Sequence, residues 1–284
     1  MIQVENLTFQ YPKSKGPAIR DINFQIKKGE IFGFLGPSGA GKSTIQKVLI
    51  GILREYKGSV KVFNQEVNKT NHQFYERIGV AFEFPNFYHK LTGYENLELF
   101  RKLYSVPTLS SKELLQLVDL EDAMNVKFKH YSKGMKMRLN FCRALLNNPD
   151  ILFLDEPTSG LDPVNARKMK NLILKKKSKG TTVILTTHNM HVAEELCDRI
   201  AFIVDGKVVL VDSPGQLKRK YGKKAIKVTY LENGVEEEKE FSIEQIGYNE
   251  TFLEIIKSNP ILTMHTQEAT LEDIFIKVTG RSLQ

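Results

Sequence analysis

Apolar and polar residues alternate in the first part of the chain in the way that half-buried strands require. Ile22, Phe24 and Ile26 are separated by polar residues, a period of two that predicts a strand with one buried face. Residues 30–35 form a short, mostly apolar run that predicts a fully buried strand, and residues 59–63 are a further candidate. The first third of the chain is therefore predicted to contain mainly β-structure.

Helical spacing replaces this alternation after residue 43. The apolar residues that recur at helical spacing in residues 44–53 are Ile45, Val48, Leu49 and Ile52. Residues 94–147 are largely helical in pattern, with clear stretches at 113–118 and 135–146. We therefore expect one helix directly after residue 43 and a mainly helical region in the middle of the chain.

From residue 150 the chain returns to alternating strands and helices. Residues 151–154 and 181–186 predict buried strands. Asp162 and Pro163 supply an N-cap and a first-turn proline for the helix between them, and Gly180 can end that helix. The order of strand, helix and strand predicts an α/β architecture.

Hairpin signals follow in the last third of the chain. Asp205 and Gly206 lie between residues 200–204 and 207–211, which is a strong signal for a two-residue hairpin. Residues 232–234 predict a second hairpin further on.

The pattern also changes after Pro214 and Gly215, and a last helix is predicted between Thr270 and Gly280. Its apolar face consists of Leu271, Ile274, Phe275 and Val278. We therefore predict a main domain over residues 1–215 and a small α+β accessory domain over residues 216–284.

Composition changes this picture little. The 284 residues carry a net charge of +8, and the lysine-rich runs 175–177 and 218–220 fit nucleic acid, anionic lipid or simply solvated helix ends. No uncharged apolar run approaches the roughly 18 residues that span a bilayer, and the N-terminus lacks the pattern of a signal peptide. Cys142 and Cys197 each fall in an apparent amphipathic helix and are expected to be thiols in a reducing compartment. These features predict a cytoplasmic protein.

The strongest chemical signal is a complete G-x-x-x-x-G-K-[ST] motif at residues 36–43. Its residues, with the threonine that follows, are Gly36, Pro37, Ser38, Gly39, Ala40, Gly41, Lys42, Ser43 and Thr44. The glycines allow a tight turn whose successive N–H groups converge on phosphate oxygens, and the following helix adds the attraction of its dipole. A glycine-rich turn with an incidental lysine would not need the strand before it and the helix after it. The motif predicts that the chain binds a nucleoside triphosphate.

Two adjacent acids follow the apolar residues 151–154. Asp155 can hold Mg²⁺ through water, and Glu156 can polarise an attacking water. Alone, such a pair is often a surface turn. In a chain with a phosphate-binding loop, it predicts metal-assisted hydrolysis.

The order of these motifs resembles the ATP-binding subunit of an ABC transporter. Ser132 and Gly134 open a predicted helix, residues 159–162 read S-G-L-D, and residues 186–188 read T-T-H. The resemblance covers residues 1 to about 215. It implies a P-loop ABC ATPase fold, which has a mixed core sheet, an antiparallel β subdomain and a helical subdomain, here at about 90–147.

The resemblance also implies roles for the residues of the nucleotide site. Lys42 would reach the β- and γ-phosphates of ATP, and Ser43 would ligate Mg²⁺. Asp155 would support the metal, Glu156 would act as general base, and His188 would contact the γ-phosphate.

Further roles concern the adenine and a second subunit. Tyr11 stands where the family has an aromatic residue that stacks on adenine, although a core tyrosine at a strand end is the alternative. Ser132 and Gly134 match the signature motif, which binds the γ-phosphate of the nucleotide held by the other subunit, and Asp162 matches an aspartate at the dimer seam. The resemblance therefore implies two ATP molecules between two such chains.

The chain departs from the common pattern of the family in two places. The signature motif has Tyr131, Lys133 and Met135 where L-S-G-G-Q is usual. Glu83 stands in place of a glutamine, an exchange similar to that in exporters that give bacitracin or lantibiotic resistance. Its carboxylate can still ligate Mg²⁺, but it brings a negative charge near the phosphates. An ordinary acid at a strand end is the alternative.

Two further segments suggest a membrane partner and the direction of transport. The residues that resemble the surface for a coupling helix from a membrane partner are Phe84, Pro85, Phe87 and Tyr88, although a plain core patch fits them nearly as well. Residues 269–275 and 278–281 resemble the C-terminal extension of ABC-2 drug-exporter ATPases, some of which export daunorubicin-like or fluoroquinolone drugs.

We therefore expect an ATP-hydrolysing subunit of a membrane exporter for a drug or antimicrobial. Its partners would be separate transmembrane permease subunits and a second ATP-binding subunit in a homodimer, at the cytoplasmic side of the cell membrane as a peripheral protein. No nucleic acid is expected. The alternative is a soluble ABC ATPase acting on DNA or ribosomes, but such proteins usually carry two cassettes or long coiled-coil insertions. A small-molecule kinase ranks last, since it would not need Ser132 or His188.

Overall fold

The computed structural model describes residues 1–222, 224–267 and 269–281, and it divides them into two compact units, Met1–Ser213 and Pro214 onward. The strands of the first unit are β1 (Ile2–Phe9), β2 (Ile19–Ile26), β3 (Ile31–Leu35), β4 (Lys57–Val62), β5 (Gln65–Glu66), β6 (Ile78–Ala81), β7 (Ile151–Asp155), β8 (Thr182–Thr187), β9 (Arg199–Val204) and β10 (Lys207–Asp212). Its helices are α1 (Lys42–Leu49), α2 (His72–Tyr75), α3 (Gly93–Arg101), α4 (Ser111–Leu117), α5 (Lys133–Leu145), α6 (Pro163–Ser178) and α7 (Met190–Leu196). Single turns of 3₁₀-helix lie at Val67–Lys69 and Phe128–His130.

The centre of the first unit is a mixed sheet with the strand order β10-β9-β3-β8-β7-β6. Strands β6, β7, β8, β3 and β9 are parallel, and β10 closes the edge in antiparallel orientation. All residues of β3 and β8 are buried, as expected for parallel strands covered on both faces. The predicted mixed core sheet is confirmed.

A second sheet in this unit is antiparallel, with the order β2-β1-β4-β5. Ile22, Phe24 and Ile26 of β2 are buried while the residues between them are exposed, so the predicted alternation is confirmed. The buried side chains of this sheet pack with Phe32 and Phe34 of the central sheet in one hydrophobic cluster. The antiparallel β subdomain and the α/β core therefore share a core.

The predicted helix and hairpin signals act as expected. The Asp162 side chain accepts a hydrogen bond from the Asn165 backbone N–H, and Pro163 is the first residue of α6. Asp205 and Gly206 both have positive φ, at 49° and 73°, in the two-residue turn between β9 and β10. Such a pair of φ angles matches the twist of the flanking strands.

Two local predictions are wrong. Helix α1 ends at Leu49 rather than at residue 53, because Gly51 takes a φ of 82° and turns the chain out of the helix. Ile52 is accordingly 53% exposed and does not share the buried face of Ile45. Cys197 lies just beyond the last residue of α7 rather than inside the helix, although it is buried, as is Cys142 within α5.

The second unit begins with α8 (Pro214–Tyr221), continues with β11 (Ala225–Glu232), β12 (Val235–Ser242), the 3₁₀ turn Ile246–Tyr248 and α9 (Glu250–Ser258), and ends with β13 (Ile261–Gln267) and α10 (Leu271–Thr279). The antiparallel sheet has the order β12-β11-β13. Val228, Phe241 and Phe252 belong to its hydrophobic core. This unit is α+β, and the second predicted hairpin is present with Asn233 and Gly234 in its turn.

The last helix has the predicted ends. Thr270 caps α10 in a reciprocal arrangement with Asp273, and Gly280 ends it with a φ of 67°. Leu271, Ile274 and Phe275 are fully buried, and α10 packs against α8 in the same unit. Across the described residues, we find no helix whose length and hydropathy would allow it to cross a membrane.

Candidate nucleotide-binding site

The carboxyl ends of four neighbouring strands bring the candidate residues together. Strands β3, β8, β7 and β6 are adjacent and parallel, so the segments that follow them leave the sheet at the same edge. The glycine-rich loop follows β3, His188 follows β8, Glu156 follows β7, and Glu83 lies shortly after β6. Ligands of open α/β sheets bind at this edge.

A cavity of about 470 Å³ lies there. Its lining residues are Tyr11, Ala18, Ser38, Gly39, Gly41, Lys42, Ser43, Thr44, Glu83, Asp155, Glu156 and His188. Apart from Ala18, every one of them was singled out from the sequence. Polar and charged groups converge here from loops that are far apart along the chain, as in ligand sites.

The glycine-rich loop is tightly constrained. Gly36 has a φ of 155°, and a Cβ atom at this position would lie 2.1 Å from the Ile203 carbonyl oxygen of β9. Gly36, Pro37 and Ala40 do not line the cavity but form the turn that places the other loop residues around it. Gly41, with a φ of 110°, precedes α1, so the N-terminus of this helix opens into the cavity.

Lys42 lies in the first turn of α1, and its ammonium group is held by the loop. Its Nζ donates hydrogen bonds to the carbonyl oxygens of Gly36 at 2.6 Å and Pro37 at 2.9 Å. Burial lowers the pKa of Lys42, while the carboxylates of Glu156, Asp155 and Glu83 act in the opposite direction. A largely buried cation thus faces the acids across the cavity.

Asp155 ends β7 and is held by the neighbouring strand. The Thr186 hydroxyl of β8 donates a hydrogen bond to Asp155 Oδ1. Burial raises the pKa of this carboxyl, which the hydrogen bond from Thr186 partly opposes. The second carboxylate oxygen is therefore the one left for a ligand.

Glu156 is fixed by the end of β8. Its Oε1 accepts a hydrogen bond from the His188 backbone N–H at 2.9 Å and lies 2.7 Å from His188 Nδ1. Its Oε2 accepts a hydrogen bond from the Thr187 hydroxyl at 2.9 Å. The backbone of Glu156 has a φ of 48°, a left-handed conformation that costs a residue with a side chain of order 1 kcal/mol or more. The fold holds this carboxylate in one orientation despite that cost.

Tyr11 and Glu83 lie at two other parts of the wall. The Tyr11 hydroxyl is 3.2 Å from Thr44 Oγ1, and its ring meets Phe9 edge-on with 4.9 Å between the centroids. Tyr11 therefore lines the cavity and also packs on the core, so both of its sequence-based interpretations are compatible with its position. The Glu83 carboxylate lines the same cavity and acts electrostatically on Lys42.

Three predicted site residues lie outside both the cavity and the glycine-rich loop that surrounds it. Ser132, Gly134 and Asp162 are absent from the wall of the cavity. Ser132 is the N-cap of α5 and accepts a hydrogen bond from the Met135 backbone N–H at 3.2 Å. Asp162 is the exposed N-cap of α6, and its hydrogen bonds with Asn165 lower its pKa. We call Ser132, Gly134 and Asp162 the outlying residues.

Sequence reasoning missed the supports of the two acids. Thr186 and Thr187 belong to the T-T-H motif, but the sequence did not predict their hydrogen bonds to the two acids or the place of Ala18 in the cavity wall. Thr186 and Thr187 are the last two residues of β8 and directly precede His188, so their place beside a candidate histidine at a strand end is a signal that could have suggested them. No signal in the sequence marks Ala18.

A second, more apolar cavity of about 880 Å³ lies near the segment after β6. Phe87 is buried in its wall, and Tyr88, also in the wall, is 59% exposed. Phe84 does not line it and is 81% exposed. The aromatic residues of this segment therefore divide between core and surface, rather than forming one core patch or one surface.

Comparison with protein families gives two matches. The family described as "ABC transporter" matches residues 19–159, which include the glycine-rich loop, Glu83 and both acids. A second family, described as "Fluoroquinolone efflux ABC transporter C-terminal domain", matches residues 224–268.

Individual relatives extend over nearly the whole chain. A fluoroquinolones export ATP-binding protein of Mycobacterium tuberculosis (strain CDC 1551 / Oshkosh) is 50% identical over 284 residues, covering 100% of this chain and 94% of its own length. The bacitracin transport ATP-binding protein BcrA of Enterococcus faecalis is 32% identical and covers 99% of this chain and 96% of its own length.

Among solved structures, the ATP-binding cassette MJ0796, in a dimeric post-hydrolysis state bound to ADP and Pi, superposes with a TM-score of 0.69 at 30% identity. It covers 75% of this chain and 98% of its own length. The motifs, the geometry of the cavity and these matches lead to one conclusion: the chain belongs to the ATP-binding family of ABC transporters and is an ATPase.

Proposed function

We propose that the chain hydrolyses ATP in this cavity to drive export of a drug or antimicrobial through separate membrane permease subunits. The observation that carries the proposal is the meeting of Lys42, Asp155, Glu156 and His188 in one cavity. The direction of transport and the substrate class are supported by the relatives, which are named for fluoroquinolone export and bacitracin transport.

ATP binding would begin with the loop and Lys42. The N–H groups of the loop and of the first turn of α1 would hold the phosphates, and Lys42 would exchange the carbonyls of Gly36 and Pro37 for β- and γ-phosphate oxygens. Tyr11, at the wall of the same cavity, is placed to stack on the adenine.

Mg²⁺ is proposed as the cofactor, and the cavity offers ligands that fit it. No group of three or more histidine, cysteine or carboxylate side chains that would hold a metal by itself occurs among the described residues. The cavity does present the Ser43 hydroxyl and the carboxylates of Asp155 and Glu83, which are hard oxygen ligands of the kind that bind Mg²⁺ together with phosphates. Bound there, Mg²⁺ would supply charge that offsets the charge of the phosphates.

Glu156 is proposed as the general base. Thr187 and His188 fix both of its carboxylate oxygens, so the base would be held in one orientation beside the γ-phosphate. His188 contacts this carboxylate with Nδ1, and its ring also lines the cavity, so this side chain would contact the γ-phosphate.

The outlying residues imply a second chain. Each lies at or next to an exposed helix N-terminus, where unpaired N–H groups and the helix dipole favour an anion. We propose that Ser132 and Gly134 of one chain meet the γ-phosphate held by a second copy, with Asp162 at the seam between the two copies. The dimeric structure of the related cassette MJ0796 supports this arrangement.

The membrane partner is proposed to dock near the segment after β6. Phe84 and Tyr88 are exposed aromatic side chains, and Tyr88 borders the cavity of about 880 Å³ beside Phe87. An apolar helix from a permease would bury them. Docking there would hold the chain, as a peripheral protein, at the cytoplasmic side of the cell membrane.

The proposal is tested by drug accumulation in living cells. A strain that lacks its own copy is complemented with the natural chain or with Glu156→Gln, and intracellular amounts of a fluoroquinolone and of bacitracin are measured. Cells with the variant should accumulate at least one of the two compounds to a higher level than cells with the natural chain. Equal accumulation of both compounds, with equal amounts of the two chains in the membrane fraction, would contradict the proposed export role.

A further inference from the structure

The segment that carries Glu83 is held from behind by a buried asparagine of α5. Asn140 is 0% exposed, and its Nδ2 donates a hydrogen bond to the carbonyl oxygen of Phe82 at 2.7 Å. Its Oδ1 accepts a hydrogen bond from Arg143 Nη2 at 2.8 Å. Both ends of the buried amide are therefore used, and one of them grips the peptide that immediately precedes Glu83.

Arg143 holds the same segment on the other side of Glu83. Its Nη1 donates a hydrogen bond to the Asn86 carbonyl oxygen at 3.1 Å. Its guanidinium lies 5.0 Å from the ring centroid of Phe87 and 5.3 Å from that of Phe100, distances at which a cation is attracted to an aromatic face. The backbone is thus fastened at Phe82 and at Asn86, with Glu83 between these two points.

Helix α5 is also locked to the strand that leads into this segment. A Cβ atom at Gly79 of β6 would lie 1.9 Å from the Ala144 carbonyl oxygen, so strand and helix touch backbone to backbone. Asn147, just after α5, donates hydrogen bonds to the carbonyl oxygens of Glu76 at 3.0 Å and Ile78 at 2.9 Å. Asn147 therefore fastens the start of β6, and Asn140 fastens the segment after its end.

We propose that Asn140 and Arg143 are positioning residues that hold the Glu83 carboxylate in the nucleotide cavity and tie it to α5. The inference rests on the proposed role of Glu83 beside Mg²⁺ and the phosphates. Because α5 begins next to Ser132, the clamp makes the Glu83 segment and the outlying end of this helix parts of one rigid body. A movement of the segment after β6 would then also move the N-terminal end of α5, where Ser132 is proposed to meet the second chain.

The test compares how strongly Mg²⁺ affects nucleotide affinity in matched variants. The Kd of a non-hydrolysable ATP analogue is measured by isothermal titration, once with excess EDTA and once with excess Mg²⁺. The ratio of the first Kd to the second expresses the metal dependence of binding. A carboxylate held near the phosphates should make this ratio large, since the metal offsets the repulsion between them.

Asn140→Leu keeps the number and branching of the heavy atoms of the side chain but removes its hydrogen bonds. We expect the ratio to fall by about fivefold, the equivalent of one net hydrogen bond. Asn147→Leu is the matched control, because it removes similar buried hydrogen bonds at the far end of β6, and it should leave the ratio within about twofold. A merely structural role of Asn140 would give both variants the same ratio, and that result would overturn the clamp.

A double-mutant cycle separates the clamp from the role of Glu83 itself. Glu83→Gln should lower the ratio, and adding Asn140→Leu should then lower it no further, because the group that Asn140 positions has lost its charge. If Glu83→Gln lowers the ratio and Asn140→Leu adds its full effect on top, Glu83 acts as proposed but the clamp is wrong. If Glu83→Gln leaves the ratio unchanged, the role of Glu83 and the clamp built on it both fail.

Arg143→Lys covers the case in which Asn140→Leu does not fold. Lysine keeps the charge, but its single ammonium cannot reproduce the planar fork that reaches Asn140 and Asn86 together. The ratio of the two Kd values should fall for Arg143→Lys as well, but by less than for Asn140→Leu. A folded Arg143→Lys chain with an unchanged ratio would contradict the clamp.

Discussion

The residues that line the nucleotide cavity and the outlying residues Ser132, Gly134 and Asp162 differ in what holds them in place. Glu156 is buried and Asp155 is half-buried, and the neighbouring strand β8 supplies hydrogen-bond partners to both. Ser132 and Asp162 are exposed, and within the described part of the chain their side chains form hydrogen bonds with the first turn of their own helices. The first set therefore lies in one enclosed cavity, whereas the second set lies at helix ends that are open to solvent.

This difference supports the proposal that one chain binds the nucleotide and that hydrolysis of the nucleotide depends on a second set of groups. A helix end whose cap is satisfied locally can remain exposed at little cost, and it needs no neighbour for stability. Such a helix end acts as an anion site only when a phosphate group comes close to it. In the proposed dimer that phosphate is held by the loop of the other chain.

The largest effect is expected from breaking the chemistry within the cavity. Glu156→Gln removes the basic oxygen but retains an amide that can still meet Thr187 and the His188 backbone, so the fold should persist. Hydrolysis should slow by roughly 10²–10⁴-fold, with nucleotide affinity unchanged. ATPase rates and titration of ATP measure the two quantities separately.

His191→Ala is the control for this variant, since His191 is an exposed histidine of α7 that does not line the cavity. Its rate should equal that of the natural chain. A Glu156→Gln chain with normal turnover would remove Glu156 from the role of general base.

A smaller effect is expected at Tyr131, which precedes the outlying Ser132. Its hydroxyl donates a hydrogen bond to the Ala123 carbonyl oxygen at 2.8 Å, and burial raises its pKa from 10.0 to about 12. Because the folded pKa is the higher one, the contribution to stability is present below pH 10 and is lost as the pH rises from 10 towards 12. Tyr131→Phe should therefore be less stable at pH 7 by about 1 kcal/mol.

This deficit should shrink above pH 10, because ionisation of the unfolded tyrosine then weakens only the natural chain. Urea unfolding at a series of pH values measures the difference. Tyr248→Phe, at a position that is 87% exposed, is the control and should give a difference near zero throughout. A Tyr131→Phe deficit that stays constant up to pH 12 would show that the phenol is not protected by burial.

Much of the fold could be predicted because its signals are local. The alternation at Ile22, Phe24 and Ile26, the cap at Asp162 and the turn at Asp205 each depend on a few adjacent residues and the backbone they favour. The end of α1 was misplaced because the spacing of Ile52 fitted the helix, while the positive φ of Gly51 ended it. The spacing of apolar residues alone does not show where such a helix ends.

The candidate site divides in the same way. The glycine-rich loop, Asp155 and Glu156 were found because each lies next to a recognisable strand. The hydrogen bond from Thr187 to Glu156 and the grip of Asn140 on Phe82 join residues that are far apart in sequence. Such pairs are decided by strand order and by the packing of a helix on a strand, and no single segment of the chain contains that information.

The central claim is that the cavity of one chain is completed by the outlying residues of another, and mixing two inactive variants tests it most directly. Lys42→Ala damages the loop but keeps Ser132, while Ser132→Arg damages the outlying motif but keeps the loop. Each variant should be nearly inactive alone and folded by circular dichroism. The ATPase rate of the mixture is then compared with the sum of the separate rates.

An equal mixture should recover about a quarter of the natural rate, because half of randomly paired dimers are mixed and each mixed dimer holds one complete site of two. Mixed dimers are confirmed by pull-down of one tagged variant with the other. A mixture that contains mixed dimers but is no more active than its separate components would contradict the claim, as would full activity in either variant alone.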